Sequence, residues 1–416
     1  MVVQKTQLSS QSKRFNYKYN PRLDNNNART LQTFSTTAHN VMHPLGDMSA
    51  PYIPDFQVFL DYYGSTEYAN MWVMAANSGK DVTFSSGRGS ANFTKLNFLQ
   101  AYAEAMSKGT VVLNSYMYVI HTMEDAVAYC EKKCAACANE QVHALDAAVA
   151  FYAGSLEGED GNTGNGVMLY SLADTRGVQF STAGPLANDD QGTSYTNIMI
   201  VQMFKKMQIY LLQGDCASAR QGKDFIANFM KVPIIQSVLR YAYMRAYQNP
   251  SVPEDSQQVM AEGATYTAAL LPYLYNCSQD DAASVYNYMK IGSIPEELNF
   301  PAVKAALERN YQCMGITCSQ VGGLWTVNGY SPNAAPCQDG SSISDTQISA
   351  ATSQASPPSS TSSASHNGGL VAGSIIGILA GCAFLFLAYR NLKSRRYYYK
   401  DSHRRTSNIA AVAEIS

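Results

Sequence analysis

The chain has 416 residues, of which 15% are charged and 46% are hydrophobic, with 28 Gly and 15 Pro. This is ordinary globular composition, and it excludes collagen-like, coiled-coil and fully disordered proteins. The net charge of −2 is unevenly distributed, because residues 51–389 carry 17 Lys and Arg against 28 Asp and Glu, a net charge of −11, whereas both ends are basic. An acidic body disfavours nucleic acid as a partner and suits cations.

Residues 1–50 are predicted to be a leader that is disordered or mis-started. Residues 1–35 are rich in Asn, Lys and Arg and contain no apolar stretch of the kind that a secretory signal peptide has. We therefore expect a truncated or mis-started reading frame, or a recently added leader, in front of the folded body.

Residues 51–340 are predicted to form a mainly α-helical ectodomain built from helical hairpins, because apolar residues recur there with a helical period and no long alternating run indicates strands. Breaks are predicted around 158–166, 184–185 and 249–253, where Gly, Pro and Asn cluster. The predicted helical segments are 98–136, 139–156, 194–213, 217–230, 234–247, 255–276, 279–290 and 300–311.

A weak internal similarity within this body is compatible with two repeats. Residues 118–129 and 144–156 can be laid over residues 232–243 and 260–271. Two amphipathic helices always resemble each other to some extent, so the overlay is equally compatible with a single unrepeated body.

The cysteines indicate an oxidising compartment. Eight of the nine lie in the ectodomain, an even number that allows four disulfides in 105 pairings: Cys130, Cys134, Cys137, Cys216, Cys277, Cys313, Cys318 and Cys337. Cys130, Cys134 and Cys137 with His143 could also be written as a zinc site, but their spacing matches no common zinc module and disulfides are the better interpretation.

Three helical faces carry side chains that bind hard cations. At 100° per residue, His143, Asp146 and Glu157 fall within about 60° of one another, and His121, Glu124 and Asp125 share a second face. The third face spans about 40° and consists of Asp255, Glu262, Tyr266 and Tyr273.

Phenolate, carboxylate and imidazole are the ligands that a highly charged cation such as Fe³⁺ selects. Each face taken singly is better explained as a hydrogen-bonded core edge or a solvated surface. Tyr is frequent, with 28 in the chain, and tyrosines are unexpected in a solvated face. The three faces together strengthen the hypothesis of a metal-binding protein without deciding between it and these simpler explanations.

The C-terminal part predicts a membrane anchor. Residues 341–367 are rich in Ser, Thr and Pro and are predicted to form a stalk. Residues 369–389 are 21 consecutive uncharged residues, which is long enough for a transmembrane helix. Residues 390–416 are predicted to form a basic tail. The positive-inside rule then predicts a single-pass type I protein of the plasma membrane with its ectodomain outside the cell.

Two further features fit a surface location. Asn92 and Asn276 begin N-glycosylation sequons, so we expect a glycoprotein. Residues 389–392 (YRNL) are similar to a tyrosine-based internalisation signal, which would bring endocytic adaptors to the cytoplasmic tail.

Motifs for catalysis are absent from the sequence: it contains no GxSxG, no HExxH, no P-loop and no GxGxxG after a strand. We therefore expect a protein that binds its ligand without turnover. An enzyme such as a surface ferric reductase remains an alternative, although no haem or flavin motif supports it.

Eight segments in order resemble the algal iron-assimilating proteins, namely the low-iron-induced periplasmic proteins of green algae and the phytotransferrins that iron starvation induces in diatoms. They cover about 270 residues: FLDYYGSTEYANMWVMAA (59–76), KGTVVLNSYMYVIHTMEDAVAYC (108–130), HALDAAVAFYAGSLEG (143–158), GVMLYSLADTRGVQF (166–180), LLQGDCASAR (211–220), VPIIQSVLRYAYMRA (232–246), AEGATYTAALLP (261–272) and YQCMGITCSQVGGLW (311–325).

This resemblance implies a cell-surface protein that captures Fe³⁺, with carbonate as a co-bound anion, for uptake by internalisation. A carbonate on Fe³⁺ needs cationic or amide donors, and Arg88 and Arg176, each beside glycines, are the predicted anion-binding residues. For each arginine taken singly, a surface or loop-capping role is the simpler explanation.

One departure from the family pattern concerns the first metal-binding face. The family has His-Ala-Trp-Asp-Glu where this chain has His143-Ala-Leu-Asp-Ala147, so one oxygen ligand is missing. A structural or adhesive surface protein that has lost metal binding on the same scaffold is therefore the main alternative.

Overall fold

The computed structural model describes residues 42–132, 138–154, 166–248, 253–294 and 299–339, all of which belong to one unit of the chain. The helices are α1 (Pro54–Tyr63), α2 (Tyr68–Ser78), α3 (Leu99–Gly109), α4 (Tyr116–Glu131), α5 (Ala138–Ala153), α6 (Leu169–Gln179), α7 (Tyr195–Gln213), α8 (Cys216–Tyr247), α9 (Pro253–Cys277), α10 (Gln279–Met289), α11 (Phe300–Glu308) and α12 (Cys318–Val321). The prediction of a mainly α-helical fold is confirmed.

Strands are minor in the described part of the chain. Two antiparallel pairs of two-residue strands occur, β1 (Asp81–Val82) with β2 (Ala91–Asn92) and β3 (Trp325–Thr326) with β4 (Gly329–Tyr330). Short 3₁₀ turns cover Pro44–Gly46 and Phe93–Lys95. These elements close loops at the edges of the helical body.

Helix ends follow local chemistry. The Ser194 side chain accepts a hydrogen bond from the Asn197 N–H at the start of α7, and Asp215 caps α8 in the same way through the Ser218 N–H. Gly214 ends α7 with φ of 71°, a left-handed conformation that glycine adopts without a Cβ penalty.

The long helices α8 and α9 form the centre of the body. They pack on each other, and α3 lies on α9 while α4 lies on α8 and α5. Most of the middle of both central helices is buried, including charged residues on α8 such as Lys223 and Lys231. The central helices therefore bring polar groups into the core, where each needs a partner.

A π-helical segment, Thr110–Ser115, joins α3 to α4 without a break. Such wider turns are rare, change the phase of the faces before and after them, and are frequent at functional sites. Segment 98–136 was predicted as one helix, and the described part of it is continuous over residues 99–131 through this π turn.

The predicted break between residues 230 and 234 is wrong, because α8 runs through Pro233 as one helix. Proline removes one helical N–H. Ser237 Oγ donates to the Pro233 carbonyl oxygen at 2.7 Å, and the residues around Pro233 are buried, so packing holds the helix together at this point. The predicted breaks near 184–185 and 249–253 lie between helices, as expected.

Within the described ranges, three disulfides confirm the oxidised state predicted from the cysteine count: Cys130–Cys216, Cys277–Cys313 and Cys318–Cys337. Because Cys130 is bonded to Cys216, it cannot act as a thiolate ligand in the alternative zinc site. Cys134 and Cys137 lie outside the described residues.

Several predictions concern parts of the chain outside the described residues, namely the leader before residue 42, the stalk, the span at 369–389 and the basic tail. Among the described helices, none combines the length and apolar character needed to cross a bilayer. In the predicted repeat, α4 and α5 would correspond to α8 and α9, and the two helices of each pair pack together. The duplication itself stays a prediction.

Candidate metal-binding site

Two of the predicted metal ligands, Glu262 and Tyr266, lie one turn apart on α9 and are both buried, with 2% and 1% of their surfaces exposed. Tyr241 of α8 packs against them. Gly263 permits this approach, since a Cβ at position 263 would lie 3.0 Å from the Cβ of Tyr241. The sequence thus has a glycine where α9 packs tightly against Tyr241 of α8.

The predicted anion-binding residue Arg176 reaches the same place from α6. Its guanidinium carbon lies 5.5 Å from the ring centroid of Tyr241 and 5.7 Å from that of Tyr266, and the two rings stack with a centroid separation of 5.7 Å. Arg176 Nη2 is 3.5 Å from the Tyr241 hydroxyl oxygen, and Nε donates to Ser237 Oγ at 2.8 Å. The guanidinium is thus held beside both phenols.

Helix α3 closes the site with Glu104 and Lys108. Lys108 Nζ lies 3.6 Å from Glu104 Oε2, and Gln100 donates to the other carboxylate oxygen at 2.9 Å. The Lys108 side chain is 34% exposed, whereas that of Glu104 is 8% exposed. Lys108 therefore forms the edge of the site that faces solvent. We call Glu104, Lys108, Arg176, Tyr241, Glu262 and Tyr266 the Tyr241–Tyr266 site.

The charges of this site are coupled. Burial alone would lower the pKa of Arg176, but Tyr241, Tyr266 and Glu262 raise it. Burial likewise opposes the charge of Lys108, yet Tyr266, Glu104 and Glu262 raise the pKa of Lys108. Burial raises the pKa of Tyr266, while Lys108 and Arg176 act in the opposite direction. Two carboxylates and two cations thus balance each other around protonated phenols.

The chemistry that these residues offer is that of a hard-cation site. Two phenols and two carboxylates supply oxygen ligands, and a guanidinium beside them can hold an anion through its planar fork of N–H donors. Within the described ranges, at this site or at any other, no three His, Cys, Asp or Glu side chains come together as a metal-binding group. Phenol oxygens therefore distinguish this site.

Tyr273, predicted on the same face as Tyr266, belongs to a different cluster two turns further along α9. Its hydroxyl donates to Asp55 Oδ1 at 2.8 Å and accepts from the Tyr116 hydroxyl at 3.1 Å. Asp255, at the start of α9, is exposed. The face predicted from periodicity therefore divides between solvent, the Tyr241–Tyr266 site and a second buried cluster.

The second predicted face, on α4, divides in a similar way. Glu124 is buried and accepts hydrogen bonds from Lys223 Nζ at 2.6 Å and Arg220 Nη1 at 3.1 Å. His121 Nε2 lies 3.5 Å from Asp125 Oδ2, and neither ring nitrogen of His121 has a hydrogen-bond partner among the described residues. Glu124 is thus already an ion-pair partner in this structure.

Burial shapes the titration of His121 and Asp125. It lowers the pKa of His121 to about 4, with the backbone of His43 acting against it. It raises the pKa of Asp125 to about 6, although the Leu45 N–H donates to Asp125 Oδ1 at 2.6 Å and lowers it. At neutral pH the imidazole is therefore uncharged and the carboxylate ionised.

The first predicted face, on α5, is less enclosed. His143 is exposed and Asp146 is half-buried, with burial raising the pKa of Asp146. Glu157 lies outside the described residues. The assignment of these three residues as metal ligands stays a prediction.

Arg88 lies apart from Arg176, at the end of α1. Its Nη2 donates to the Asp61 carbonyl at 2.7 Å and its Nε to the Tyr62 carbonyl at 3.0 Å, and its guanidinium carbon lies 4.6 Å from the ring centroid of Tyr275. These contacts are those of a residue that caps a helix, the alternative role considered for it. An anion-binding role for Arg88 stays a prediction.

Sequence reasoning missed Tyr241, Glu104 and Lys108. Glu104 and Lys108 are an i, i+4 pair of the kind usually found on a solvated face, and Tyr241 lies in a stretch with other tyrosines. The spacing of residues along one helix carries no signal for groups that come from other helices. The sign that could have pointed to Tyr241 is the glycine at position 263, which indicates close helix packing, whereas nothing comparable marks Glu104 and Lys108.

The fold and the site define a mainly helical, disulfide-linked protein with a buried group of phenols, carboxylates and a guanidinium. Residues 64–328, more than half of the chain, match the low iron-inducible periplasmic protein family, and the chain belongs to this family. The description of the family relates its members to iron limitation and places them in the periplasm. No curated protein and no solved structure matches the chain.

Proposed function

We propose that this protein binds ferric iron at the cell surface, with carbonate as a co-bound anion, and delivers it for uptake without chemical turnover. The observation that carries the proposal is the position of Arg176 beside the stacked rings of Tyr241 and Tyr266, with Glu262 in the same buried group. Membership in a family defined by low iron supports iron as the ligand.

The metal ligands in this proposal are the hydroxyl oxygens of Tyr241 and Tyr266 and the carboxylate of Glu262. Phenolate and carboxylate are hard anionic donors, which favour a trivalent cation over softer metals. Burial raises the pKa of both phenols, so each must lose a proton when the metal binds. Binding is therefore coupled to proton release and weakens as the pH falls.

Arg176 has the role of holding carbonate in this proposal. Its fork of N–H donors can bind two oxygens of a planar anion while the third oxygen faces the metal. Lys108, at the solvent-facing edge, supplies a second positive charge. Two phenolates, the Glu262 carboxylate and a carbonate dianion would together balance the charges of Fe³⁺, Arg176 and Lys108.

A surface receptor also needs to be held at the membrane and internalised. The predicted span at 369–389 and the YRNL segment at 389–392 are the parts of the sequence that would do this. Both sequon asparagines, Asn92 and Asn276, are exposed on the body, which is compatible with glycosylation on an extracellular face. Anchoring, glycosylation and adaptor binding remain part of the proposal.

Titration of the full chain with ferric nitrilotriacetate, with and without bicarbonate, tests the proposal. We expect a phenolate-to-iron charge-transfer band in visible light that requires bicarbonate and is weakened in Tyr266→Phe, which removes only a hydroxyl group. Tyr311→Phe is a matched control, because the Tyr311 hydroxyl is buried without a hydrogen-bond partner in the described structure.

The absence of any band or tight binding with bicarbonate would refute iron binding. It would favour the structural or adhesive role, in which the same buried groups only hold the helices together. Unchanged iron binding in Tyr266→Phe would show that the metal does not bind at the Tyr241–Tyr266 site.

A further inference from the structure

A small cavity lies where α2, α9, α10 and the start of β2 meet. It is lined by Trp72 of α2, Thr267 of α9 and residues 89–91, together with mostly apolar side chains of α9 and α10. The space in it that the centre of a water molecule can occupy is about 10 Å³. This is close to the smallest volume that holds one water molecule, so the cavity has room for a single very small ligand.

Two polar side chains that line this cavity lack a hydrogen-bond partner in the described part of the chain. They are Trp72, through its indole Nε1, and Thr267, through its hydroxyl Oγ1. The two residues are 3% and 2% exposed. A buried indole N–H and a buried hydroxyl normally find a partner, because an unmade hydrogen bond inside a protein is costly. Their presence on one cavity indicates that the partner is a molecule inside it.

Packing fixes the indole ring of Trp72. A Cβ at Gly109 would lie 3.1 Å from Trp72 Cδ1 and 3.6 Å from Nε1, so the nitrogen-bearing edge of the ring lies close to the backbone at the end of α3. Phe93 packs against the indole edge-on, with a centroid separation of 5.3 Å. Because these contacts prevent the ring from turning towards another acceptor, the partner of its N–H must come to it.

Thr267 differs from another buried threonine on the same helix. Thr265 Oγ1 donates to the Ala261 carbonyl oxygen at 2.8 Å, which is the usual way in which a threonine inside a helix satisfies its own hydroxyl. Thr267 is similarly buried, yet its hydroxyl makes no such bond to a carbonyl of α9. That hydroxyl can therefore act as donor or acceptor towards a molecule in the cavity.

The ligand that suits this cavity is uncharged. Of the described residues that line it, only Lys290 carries a charge, and Lys290 Nζ is exposed and donates to Asn287 Oδ1 at 3.0 Å. An ion would need more charged or polar ligands than an indole, a hydroxyl and apolar side chains provide. Water needs two to four polar partners, and the backbone of residues 89–91 offers a third beside Trp72 and Thr267.

We propose that one structural water molecule occupies this cavity and joins α2 to α9. The water accepts a hydrogen bond from Trp72 Nε1 and forms a second one with the Thr267 hydroxyl. Thr267 directly follows Tyr266, and Gly109, against which the indole packs, directly follows Lys108. The water therefore supports the same stretches of α9 and α3 that carry these two residues of the Tyr241–Tyr266 site, but its binding does not depend on iron.

The test counts long-lived internal water molecules in the full chain by magnetic relaxation dispersion of the water oxygen. Thr267→Val is the decisive variant, because valine has nearly the shape of threonine but lacks the hydroxyl. Thr265→Val is the matched control, since it makes the same substitution on the same buried helix at a hydroxyl that bonds a helix carbonyl.

A second measurement leaves the cavity unsubstituted. With the indole nitrogens isotope-labelled, the N–H proton of Trp72 is examined for a nuclear Overhauser effect to water. The chain has two tryptophans, so the Trp72 signal is the one that remains in Trp325→Phe.

We expect one long-lived water molecule fewer in Thr267→Val than in the unsubstituted chain, and no change in Thr265→Val. The Trp72 indole proton should show an Overhauser effect to water with the sign of a rigidly held molecule. An equal number of water molecules in a folded Thr267→Val chain would overturn the proposal, and so would a Trp72 proton without any effect to water. If circular dichroism shows that Thr267→Val does not fold, the measurement on Trp72 decides alone.

Discussion

The Cβ of Tyr241 lies 3.0 Å from the position that a Cβ at Gly263 would occupy. This contact brings α8 and α9 together at the Tyr241–Tyr266 site. Because the nearest atom of Tyr241 is next to its backbone, it cannot move aside as the end of a flexible side chain would. The closeness of the two phenols therefore depends on the missing side chain at position 263.

Gly263→Ala should lower the free energy of unfolding by up to about 2 kcal/mol. Overpacking in a core costs about 1–3 kcal/mol, which outweighs the gain of about 1 kcal/mol from replacing glycine within a helix. Denaturant unfolding followed by circular dichroism measures the difference. A variant more stable than the unsubstituted chain would show that α8 and α9 have room to separate.

Glu124→Gln should destabilise the fold by about 3 kcal/mol, because it leaves Lys223 buried without its closest partner. Glu131→Gln is the matched control: Glu131 pairs with Arg220 at 2.9 Å, but both side chains are more than a third exposed. Such an exposed pair contributes below about 1 kcal/mol. Equal losses in the two variants, measured by urea unfolding, would contradict the buried role of Glu124.

The pH dependence of stability should change in Asp125→Asn. His121 has its pKa lowered to about 4, so acidification protonates it first in the unfolded chain and destabilises the fold between about pH 6.5 and 4. Asp125 has its pKa raised to about 6, so it takes up a proton first in the folded chain and opposes that loss. In the unsubstituted chain the two effects largely cancel.

Without Asp125 only the effect of His121 remains, and asparagine still accepts the hydrogen bond from Leu45. From pH 7 to pH 4 the free energy of unfolding should therefore fall by about 2 kcal/mol more in Asp125→Asn than in the unsubstituted chain. Urea unfolding at a series of pH values measures this. Parallel pH profiles for the two chains would show that the pKa of Asp125 is not raised by folding.

Bound iron should be released on mild acidification. Burial raises the pKa of Tyr241 and Tyr266, so protons compete with the metal for both phenol oxygens, and carbonate also takes up protons as the pH falls. The charge-transfer band of the iron-loaded chain should decrease between about pH 7.5 and 5.5 in the presence of citrate as acceptor. A band unchanged over this range would exclude release by protonation.

Much of the secondary structure could be predicted because it depends on local chemistry. From α3 onward, the apolar period and the capping residues predict the ends of most of the described helices to within a few residues. The clusters of glycine and proline predict the loops between them. The predicted break at Pro233 was wrong because the sequence shows only that proline lacks an N–H. The buried contacts that keep α8 continuous come from residues distant in the sequence.

The candidate site was predictable only in part. Periodicity placed Glu262 and Tyr266 on one face, and the chemistry of carbonate binding selected Arg176. The glycine beside Arg176 was expected to expose backbone N–H groups to an anion, yet Gly177 lies inside α6, where a Cβ would be 2.5 Å from the Ser194 Cβ. Gly177 therefore serves helix packing, and Arg176 reaches the site as a buried side chain.

The sequence by itself determined the acidic helical body, its oxidised cysteines and the residue types suited to Fe³⁺, since each of these follows from composition or from neighbours along the chain. Only the tertiary structure decided that Tyr266 meets Tyr241, Arg176 and Lys108 while Tyr273 meets Tyr116 and Asp55. The reason is physical: a 25-residue helix such as α9 passes several partners along its length, and which partner faces each turn depends on helix packing.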